Sequence, residues 1–488
     1  MRILTILFLF LSNPLFASFQ MNERMQQSYT HIINLEFEAA QQLLNLELKE
    51  NFENRMIDIQ YNYIDFLTIL IGEEEEFFSI AQYSKHDRIY RIQKGDKNSP
   101  YYLYAQAEVH LQWAFARLKF EEYLTAAYEI QKAYSLLEEN QELFPNFKLN
   151  KKGLGLLHTL VGAIPEKYQW IINLVGMEGG VELGLLELKS LLKDEEMEMY
   201  HSEVLFLTAF LQLNMTNDEV AYQLLLDKIG EGYTANYLLN FAAARLSHAL
   251  GENDLCIKVL ENRPDDQGKY PFHYLDYLQG MSFLYTLDYE KSEISFNRFL
   301  KNFKGNNYIK SAYQKLAWIA FLQEKSDEKM SCLEKIKSEG RAFIDEDKVA
   351  LKEVEKNHIN SPKLLRARLL YDGGYYEKAH LELTSENKLS DYAGFFDEYY
   401  YRLARIESKL KYMDEEVITQ YQKAFDIGKK STNYYAPMSA LQIGLILEKQ
   451  NKLNQAKIYF EKCLSLSDFD YERGIHQKAK AGLVRVIN

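Results

Sequence analysis

The sequence predicts an all-α protein, built as an α-solenoid of helix–turn–helix repeats with a helical N-terminal region. Two observations carry this prediction. The chain has only 23 glycines and 8 prolines in 488 residues, too few to serve the many tight turns of a large β-sandwich or barrel. Small residues also recur inside helix-like runs at intervals of 34 to 50 residues, a period typical of stacked helical hairpins.

Composition narrows the function classes. Hydrophobic residues make up 47% and charged residues 26% of the chain, the balance of a globular protein rather than a disordered one. The net charge of −13 argues against nucleic acid as the partner, because phosphate binding needs a basic face. Three cysteines are too few for a disulfide framework, and we expect them to be buried and reduced.

Residues 1–17 have the layout of a secretory signal peptide. Arg2 gives a positive start, residues 3–11 are apolar apart from one threonine, and Ala17 is a small residue at the expected cleavage point. The apolar run is too short for the roughly 20 residues needed to cross a bilayer, although an uncleaved signal anchor is the alternative. We therefore expect an exported protein, periplasmic or associated with a bacterial envelope.

Residues 18–192 form the predicted N-terminal helical region, which ends in a glycine-rich apolar segment, 151–192. Its G-x-G motif at Gly153 and Gly155 follows no strand and precedes no lysine–serine pair, so it is not a phosphate-binding loop. We expect its glycines to let apolar helices approach closely. In an alternative function, the apolar 153–176 segment contacts a lipid surface and the chain is a peripheral membrane or envelope-assembly component.

Residues 193–488 carry the repeat. Small residues that we term anchors recur in helix-like runs, and four of them precede a second small residue twelve places on and a large apolar residue sixteen places on. Two antiparallel helices approach closely only where side chains are small, and the large residue fills the adjoining space. The anchors are Ala209, Ala243, Gly280, Ala317, Ala367, Ala404 and Gly444.

This spacing resembles the tetratricopeptide repeat, a helix–turn–helix unit of 34 residues. The clearest copy runs from Pro437 to Asp470, where we expect Gly444 to face Ala456 between the two helices. The closing proline of the family is missing there, and Asp468 takes its place. The longest interval between anchors predicts an extra charged helix within residues 337–362. The last stretch, residues 471–488, is predicted to be a capping helix.

The glycine-rich segment has a second resemblance, to the tetratricopeptide-repeat-domain-39 family, whose members include a mitochondrial outer-membrane clearance factor. The resemblance implies the overall fold across residues 30–488 and little about activity. The signal peptide, Met177 and Gly180 depart from the family pattern. The matching positions are Gly153, Gly155, Pro165, Gly176, Gly179 and Gly184.

No catalytic motif emerges from the sequence. No two of the ten histidines lie within four residues of each other, and the HExxH, CxxC and G-x-S-x-G patterns are missing. We therefore predict a non-enzymatic protein without cofactor or metal, whose partner is a protein or peptide.

The tetratricopeptide resemblance implies that this partner binds in a concave groove lined by the first helix of each repeat. Aromatic and arginine side chains, which are enriched at interaction hot spots, occupy groove positions here; the alternative is that they only pack between helices. The lysine/asparagine clamp of chaperone-binding members is missing, since Leu441 and Leu445 stand at such places. The candidate groove residues are Tyr274, Tyr277, Met281, Trp318, Phe321, Tyr371, Tyr401 and Arg405.

Overall fold

A computed structural model describes residues 18–162, 177–356, 361–385 and 389–487. Within these ranges the chain forms 24 α-helices and no β-strand, and one isolated bridge pairs Ser18 with Asn54. The predicted all-α class is therefore confirmed. The predicted signal peptide, residues 1–17, lies outside the described ranges.

Eight helices are described in the N-terminal region, outside residues 163–176. The fifth of them is the centre of this region, because its side chains are buried along most of its length, Trp113 among them. The helices are α1 (Glu23–Ile33), α2 (Phe37–Glu50), α3 (Met56–Gly72), α4 (Glu75–Ile92), α5 (Tyr101–Lys119), α6 (Tyr123–Leu143), α7 (Asn150–Gly162) and α8 (Val181–Leu191).

The glycine-rich segment brings two of these helices into close contact. Gly155 on α7 lies against Gly184 on α8, and a Cβ added at Gly155 would be 2.8 Å from the carbonyl oxygen of Gly184. Most side chains from residue 153 to 162 are buried against neighbouring helices, so this part of the segment contacts protein. Residues 163–176, including Pro165 and Gly176, lie outside the described ranges. No described helix is both long and apolar enough to span a bilayer.

A buried polar network links the N-terminal region to the helix after residue 192. The Lys152 ammonium lies 2.9 Å from a Glu108 carboxylate oxygen and 2.8 Å from Glu203. Glu203 also accepts hydrogen bonds from the hydroxyl groups of Tyr29 and Tyr63. Since every member has a partner, the network meets the requirement that buried charges be paired. The domain boundary at residue 192 stays a prediction.

Seven helical hairpins follow. Each predicted anchor lies in the first helix of one hairpin and is buried there, which confirms the predicted repeat. The hairpins are α9 (His201–Met215) with α10 (Glu219–Ile229), α11 (Tyr237–Ala249) with α12 (Asn253–Glu261), α13 (Tyr274–Tyr285) with α14 (Tyr289–Asn302), α15 (Ile309–Leu322) with α16 (Ser326–Ser338), α18 (Pro362–Asp372) with α19 (Tyr376–Thr384), α20 (Phe396–Lys409) with α21 (Asp414–Gly428), and α22 (Tyr435–Lys449) with α23 (Leu453–Leu464).

Two further helices stand outside the hairpins. The first is α17 (Asp345–Glu355), between the fourth and fifth hairpins, and it confirms the extra charged helix predicted there. The second is α24 (Glu472–Ile487), which packs on the last hairpin as the predicted capping helix.

Glycine anchors face phenylalanine rings. A Cβ added at Gly280 would lie 2.9 Å from the Phe296 ring, and one at Gly444 would lie 2.6 Å from the Phe460 ring. In the third hairpin, the Ser292 hydroxyl, twelve places after Gly280, also donates a hydrogen bond of 2.8 Å to the Gly280 carbonyl oxygen. The expectation that Ala456 faces Gly444 in the same register stays a prediction. Where the anchor is alanine, no phenylalanine stands sixteen places on: the residue there is leucine after Ala209, Ala317 and Ala367, valine after Ala243 and glutamine after Ala404.

The turns between paired helices explain how so few glycines suffice. Six of the seven hairpins turn through one residue in the left-handed region, seven or eight places after the anchor. Only two of these residues are glycine, although glycine adopts this conformation at the least steric cost. The six are Gly251, Leu287, Glu324, Gly374, Lys411 and Asn451, with φ between 59° and 83°.

The array departs from a simple one-dimensional stack at its fifth hairpin. Helix α18 packs against α13, two hairpins earlier. The turn at Gly374 also lies so close to Gly251, in the second hairpin, that a side chain on Gly374 would clash with the Gly251 backbone. The chain therefore returns to earlier repeats after α17, and this return encloses part of the groove.

We predict that Gly444→Ala lowers the free energy of unfolding by about 1–3 kcal/mol, because the added methyl group overpacks against the Phe460 ring. Phe460→Leu should relieve this clash, so the double variant should lose less stability than the two single variants summed. A double-mutant cycle in urea measures the difference. Strict additivity would contradict the proposed complementarity between anchor and partner.

Candidate functional site: the concave groove

The first helices of the central hairpins border two adjoining chambers, one on each side of α17, and we term the two chambers together the groove. The first chamber has a volume of about 410 Å³ and the second about 640 Å³. Asp345, Val349 and Arg368 line both chambers, so the two spaces meet at these residues. Together they run from α11 to the segment just before α24.

The first chamber lies between α11, α13, α15, α17 and α18. Its other main lining residues are Arg245, His248, Tyr274, Tyr277, Met281, Tyr285, Tyr308, Gln314, Lys315 and Glu346. The second chamber lies between α17 and the C-terminal hairpins. Its other main lining residues are Lys348, Lys352, Glu353, Lys356, Arg402, Asn433, Tyr434, Tyr435, Asp470 and Tyr471.

Side-chain contacts fix α17 across the groove. The Glu353 carboxylate accepts a hydrogen bond of 2.8 Å from the indole nitrogen of Trp318 and another from Gln314, both on α15. On the far side, the ammonium groups of Lys352 and Lys356 bind Asp470, the latter at 3.0 Å. Contacts on both sides thus determine the width of the second chamber.

Asp347 fixes the start of α15 from within α17. Its carboxylate accepts hydrogen bonds of 2.7 Å from the Tyr308 amide and 2.8 Å from the Ser311 amide. These amides belong to the first turn of a helix, where backbone donors lack intrahelical partners. The side chain is fully buried, and burial raises the pKa of Asp347 to about 6.

Two cations of the first chamber lie over one aromatic ring. The Lys315 ammonium is 3.9 Å and the Arg368 guanidinium 5.0 Å from the centre of the Trp318 ring. Lys315 is only 9% exposed, and its ammonium donates a hydrogen bond of 2.6 Å to the side-chain oxygen of Gln314. Burial, together with the nearby Arg368 guanidinium, lowers the pKa of Lys315 to about 7.

The cations of the first chamber are incompletely neutralised. Within the described ranges, Lys315 and Arg245 form no ion pair, and Arg368 reaches the Asp372 carboxylate only at 3.7 Å. Arg245 has a contact of 3.4 Å with the Tyr274 hydroxyl. Seven basic and four acidic side chains line the two chambers, so basic groups outnumber acidic ones there in a chain whose net charge is −13.

Tyrosine rings form another part of the lining of the first chamber. The Tyr308 ring centre lies 4.4 Å from that of Tyr274 and 4.9 Å from that of Tyr277. The Tyr277 hydroxyl is hydrogen-bonded to Ser311 at 2.8 Å. Each ring offers an apolar face and a polar edge, a combination that is common in binding interfaces.

The structure separates the eight sequence-predicted groove residues into three groups. Tyr274, Tyr277 and Met281 line the first chamber. Trp318 lies behind it and supports two of its cations. The remaining four lie outside both chambers: the Arg405 guanidinium is 4.2 Å from the Tyr371 ring and 5.6 Å from the Tyr401 ring, and Phe321 packs under Lys329. A binding role for any of the eight stays a prediction.

Sequence reasoning missed the buried cations. Arg368 follows the anchor Ala367 by one place, the same register that singled out Trp318 and Arg405, so this pattern could have found it. Lys315 and Arg245 lie two places before and after their anchors, and no periodicity marks them. These cations come together because the fifth hairpin packs against earlier hairpins, and no sequence pattern predicts this packing.

Other reactive groups do not assemble into a catalytic or metal centre in the described ranges. No three histidine, cysteine, aspartate or glutamate side chains there are placed to hold a metal ion. Burial raises the pKa of the Cys256 thiol to about 11 and that of Cys463 to about 12, and a raised pKa disfavours the reactive thiolate.

The fold defines an all-α solenoid of tetratricopeptide-like helical hairpins. No family model matches the chain, and no curated protein matches it. Among solved structures, the chain is similar to a chain of the APC/C hetero-tetramer Cut9–Hcn1, with 10% identity, coverage of 97% of this chain and 100% of that chain, and a TM-score of 0.28. It is also similar to yeast Tom70, with 13% identity, 95% coverage of each chain and a TM-score of 0.22. These scores support no functional assignment, and the resemblance to the tetratricopeptide-repeat-domain-39 family stays a prediction.

We predict that Lys315→Met raises the free energy of unfolding at pH 6 by about 1–4 kcal/mol, because methionine fills a similar volume without desolvating a charge. The folded-state pKa of Lys315, about 7, lies below its ordinary value of 10.5. Between these two pH values the unfolded chain binds more protons than the folded chain. The contribution of Lys315 to the free energy of unfolding of the wild-type protein therefore increases as pH rises from about 7 to 10.5.

The advantage of the variant should consequently shrink between pH 7 and pH 10, as urea unfolding at several pH values would measure. Lys301→Met is the matched control, since Lys301 is exposed at the end of α14 and should change stability little at any pH. A Lys315→Met protein less stable than wild type at pH 6 would contradict the prediction.

Proposed function

We propose that this chain is a non-enzymatic interaction scaffold or adaptor of the cell envelope, which binds a protein or peptide in its concave groove. The observation that supports the proposal is the groove itself. Two connected chambers of about 410 and 640 Å³ are lined by tyrosines and by incompletely neutralised cations. Volumes of this order accommodate bound ligands in many proteins.

An extended polypeptide suits this groove better than a compact small molecule. The chambers follow one another along the groove and join at Arg368, so a chain lying there would contact the central hairpins, α17 and the C-terminal hairpins in turn. Tyrosine and arginine side chains contribute much of the binding energy in protein interfaces. Since α17 is held on both sides, the groove is largely preformed, which reduces the entropy lost on binding.

The envelope location is part of the proposal and depends on residues 1–17. Their positive start, short apolar run and small cleavage residue are typical of export signals. A periplasmic or envelope-associated scaffold would meet partners on that side of the membrane. The described part of the 153–176 segment, residues 153–162, is mostly buried in protein, so it offers little surface to a lipid.

A photo-cross-linking amino acid placed at Met281 in the first chamber, or at Tyr434 in the second, should capture the same partner protein in cells. The matched control position is Ile294, which is 58% exposed on α14 and lines neither chamber. Adding Met281→Glu should weaken capture from Tyr434, whereas Ile294→Glu should not. Equal capture from Ile294, or none from either chamber, would contradict the proposed groove.

Export predicts that the mature protein begins at Ser18. Mass spectrometry of protein purified from envelope fractions should find this N-terminus, since cleavage is expected after Ala17. Replacing Ala17 with a bulky residue such as Trp should block processing and leave the longer chain. Intact Met1 on wild-type protein in the cytoplasmic fraction would contradict export.

A further inference from the structure

Three cations on three different helices line the first chamber. Arg245 comes from α11, Lys315 from α15 and Arg368 from α18. Charges removed from water are costly unless they are paired, yet Lys315 and Arg245 form no ion pair in the part of the chain that the structure describes. The two acidic residues of the same chamber, Asp345 and Glu346, lie exposed at the start of α17, where water screens their charge.

We propose that the first chamber is a subsite for a carboxylate side chain of an acidic peptide, which Arg245, Lys315 and Arg368 hold together. This inference rests on the binding function proposed above and names the class of partner. A carboxylate would supply the missing counter-charge and would accept charge-assisted hydrogen bonds from ammonium and guanidinium groups.

The surroundings of the subsite favour a peptide over a free anion. Tyrosine rings border the first chamber, and the second chamber adjoins it at Arg368. Of the four further basic side chains there, Lys352 and Lys356 bind Asp470 and Arg402 binds Glu398, whereas Lys348 lies exposed. A peptide can therefore continue beyond Arg368 past Lys348. The rest of the molecule repels acidic partners, because the chain has a net charge of −13. This contrast directs an acidic segment to the groove and discourages binding elsewhere.

Binding should take up a proton. Burial and Arg368 hold the pKa of Lys315 at about 7, and a bound carboxylate would favour the ammonium form. The other charged groups that act on Lys315 are Glu346 and Glu353 from α17 and Asp372 from α18, all of which raise its pKa. From α11, the chamber receives Arg245 and His248, and burial lowers the pKa of His248. The remaining titratable lining groups are Asp345, Cys256 and the tyrosines Tyr274, Tyr277, Tyr285 and Tyr308.

The test uses the full mature chain and three fluorescein-labelled peptides of one length, identical except for Glu, Gln or Lys at alternate positions. Fluorescence anisotropy at low salt should show the Glu peptide binding about tenfold or more tightly than the Gln peptide, and the Lys peptide most weakly. The affinity for the Glu peptide should fall about tenfold between pH 6 and pH 8, since Lys315 must then be protonated on binding.

Lys315→Met should weaken binding of the Glu peptide about tenfold and abolish its pH dependence, while leaving the Gln peptide unchanged. Lys301→Met, the same change at an exposed site outside the groove, should have no effect. Arg245→Gln is a second variant, so that the proposal stays testable if circular dichroism shows Lys315→Met to be unfolded. A Lys315→Met protein that is folded and binds the Glu peptide as wild type does would overturn the proposal.

The outcomes separate this inference from the proposed function. Equal affinity for the Glu and Gln peptides, with groove cross-linking retained, overturns the acidic subsite and leaves the scaffold function standing. Inorganic phosphate or glutarate that binds as tightly as the Glu peptide overturns the peptide as occupant, because the site would then serve a free anion. Loss of groove cross-linking overturns both.

Discussion

The close approach of two helices within each hairpin is the constraint on which the rest of the structure depends. In the third and seventh hairpins the anchor is glycine, and a phenylalanine ring of the second helix fills the space that the glycine leaves. Ridges and grooves of helices interlock only at such distances. Each hairpin therefore becomes a unit of fixed thickness, and stacking these units places the groove-facing side chains in a continuous row.

The cationic side chains that line the first chamber lower the stability of the folded protein. In the N-terminal region, by contrast, the buried Lys152 is paired with Glu108 and Glu203. In the first chamber, Lys315 lies buried on an indole ring beside another cation. A protein optimised for stability alone would replace it with an apolar side chain, so the contrast between the two regions is the clearest physical sign of a site shaped for binding.

Local sequence patterns predicted much of the fold. The repeat period located all seven first helices, and the low glycine and proline content excluded a β architecture. The extra helix between Lys337 and Pro362 followed from the longest interval. The candidate site was harder to predict from the sequence, because contacts between hairpins two apart determine which groove positions enclose a cavity. Tyr371 and Arg405 occupy groove-type registers yet lie outside both chambers, whereas Lys315 and Arg245 have no distinguishing register and lie inside the first. The repeat period predicts which face of a helix a residue lies on. The packing of distant hairpins determines which residues that face contacts.

The helix α17 adds a mechanical property to the solenoid. An array of helical hairpins bends and twists readily, because small rotations between neighbouring hairpins add up along the stack. Here the ion pairs from Lys352 and Lys356 to Asp470 join residues more than a hundred places apart in sequence. They connect α17 to the segment just before α24 and so restrict bending between these two parts. These side chains are partly exposed, so dissolved salt weakens their attraction. The stiffness of the C-terminal half of the molecule is thereby coupled to the ionic strength of its surroundings.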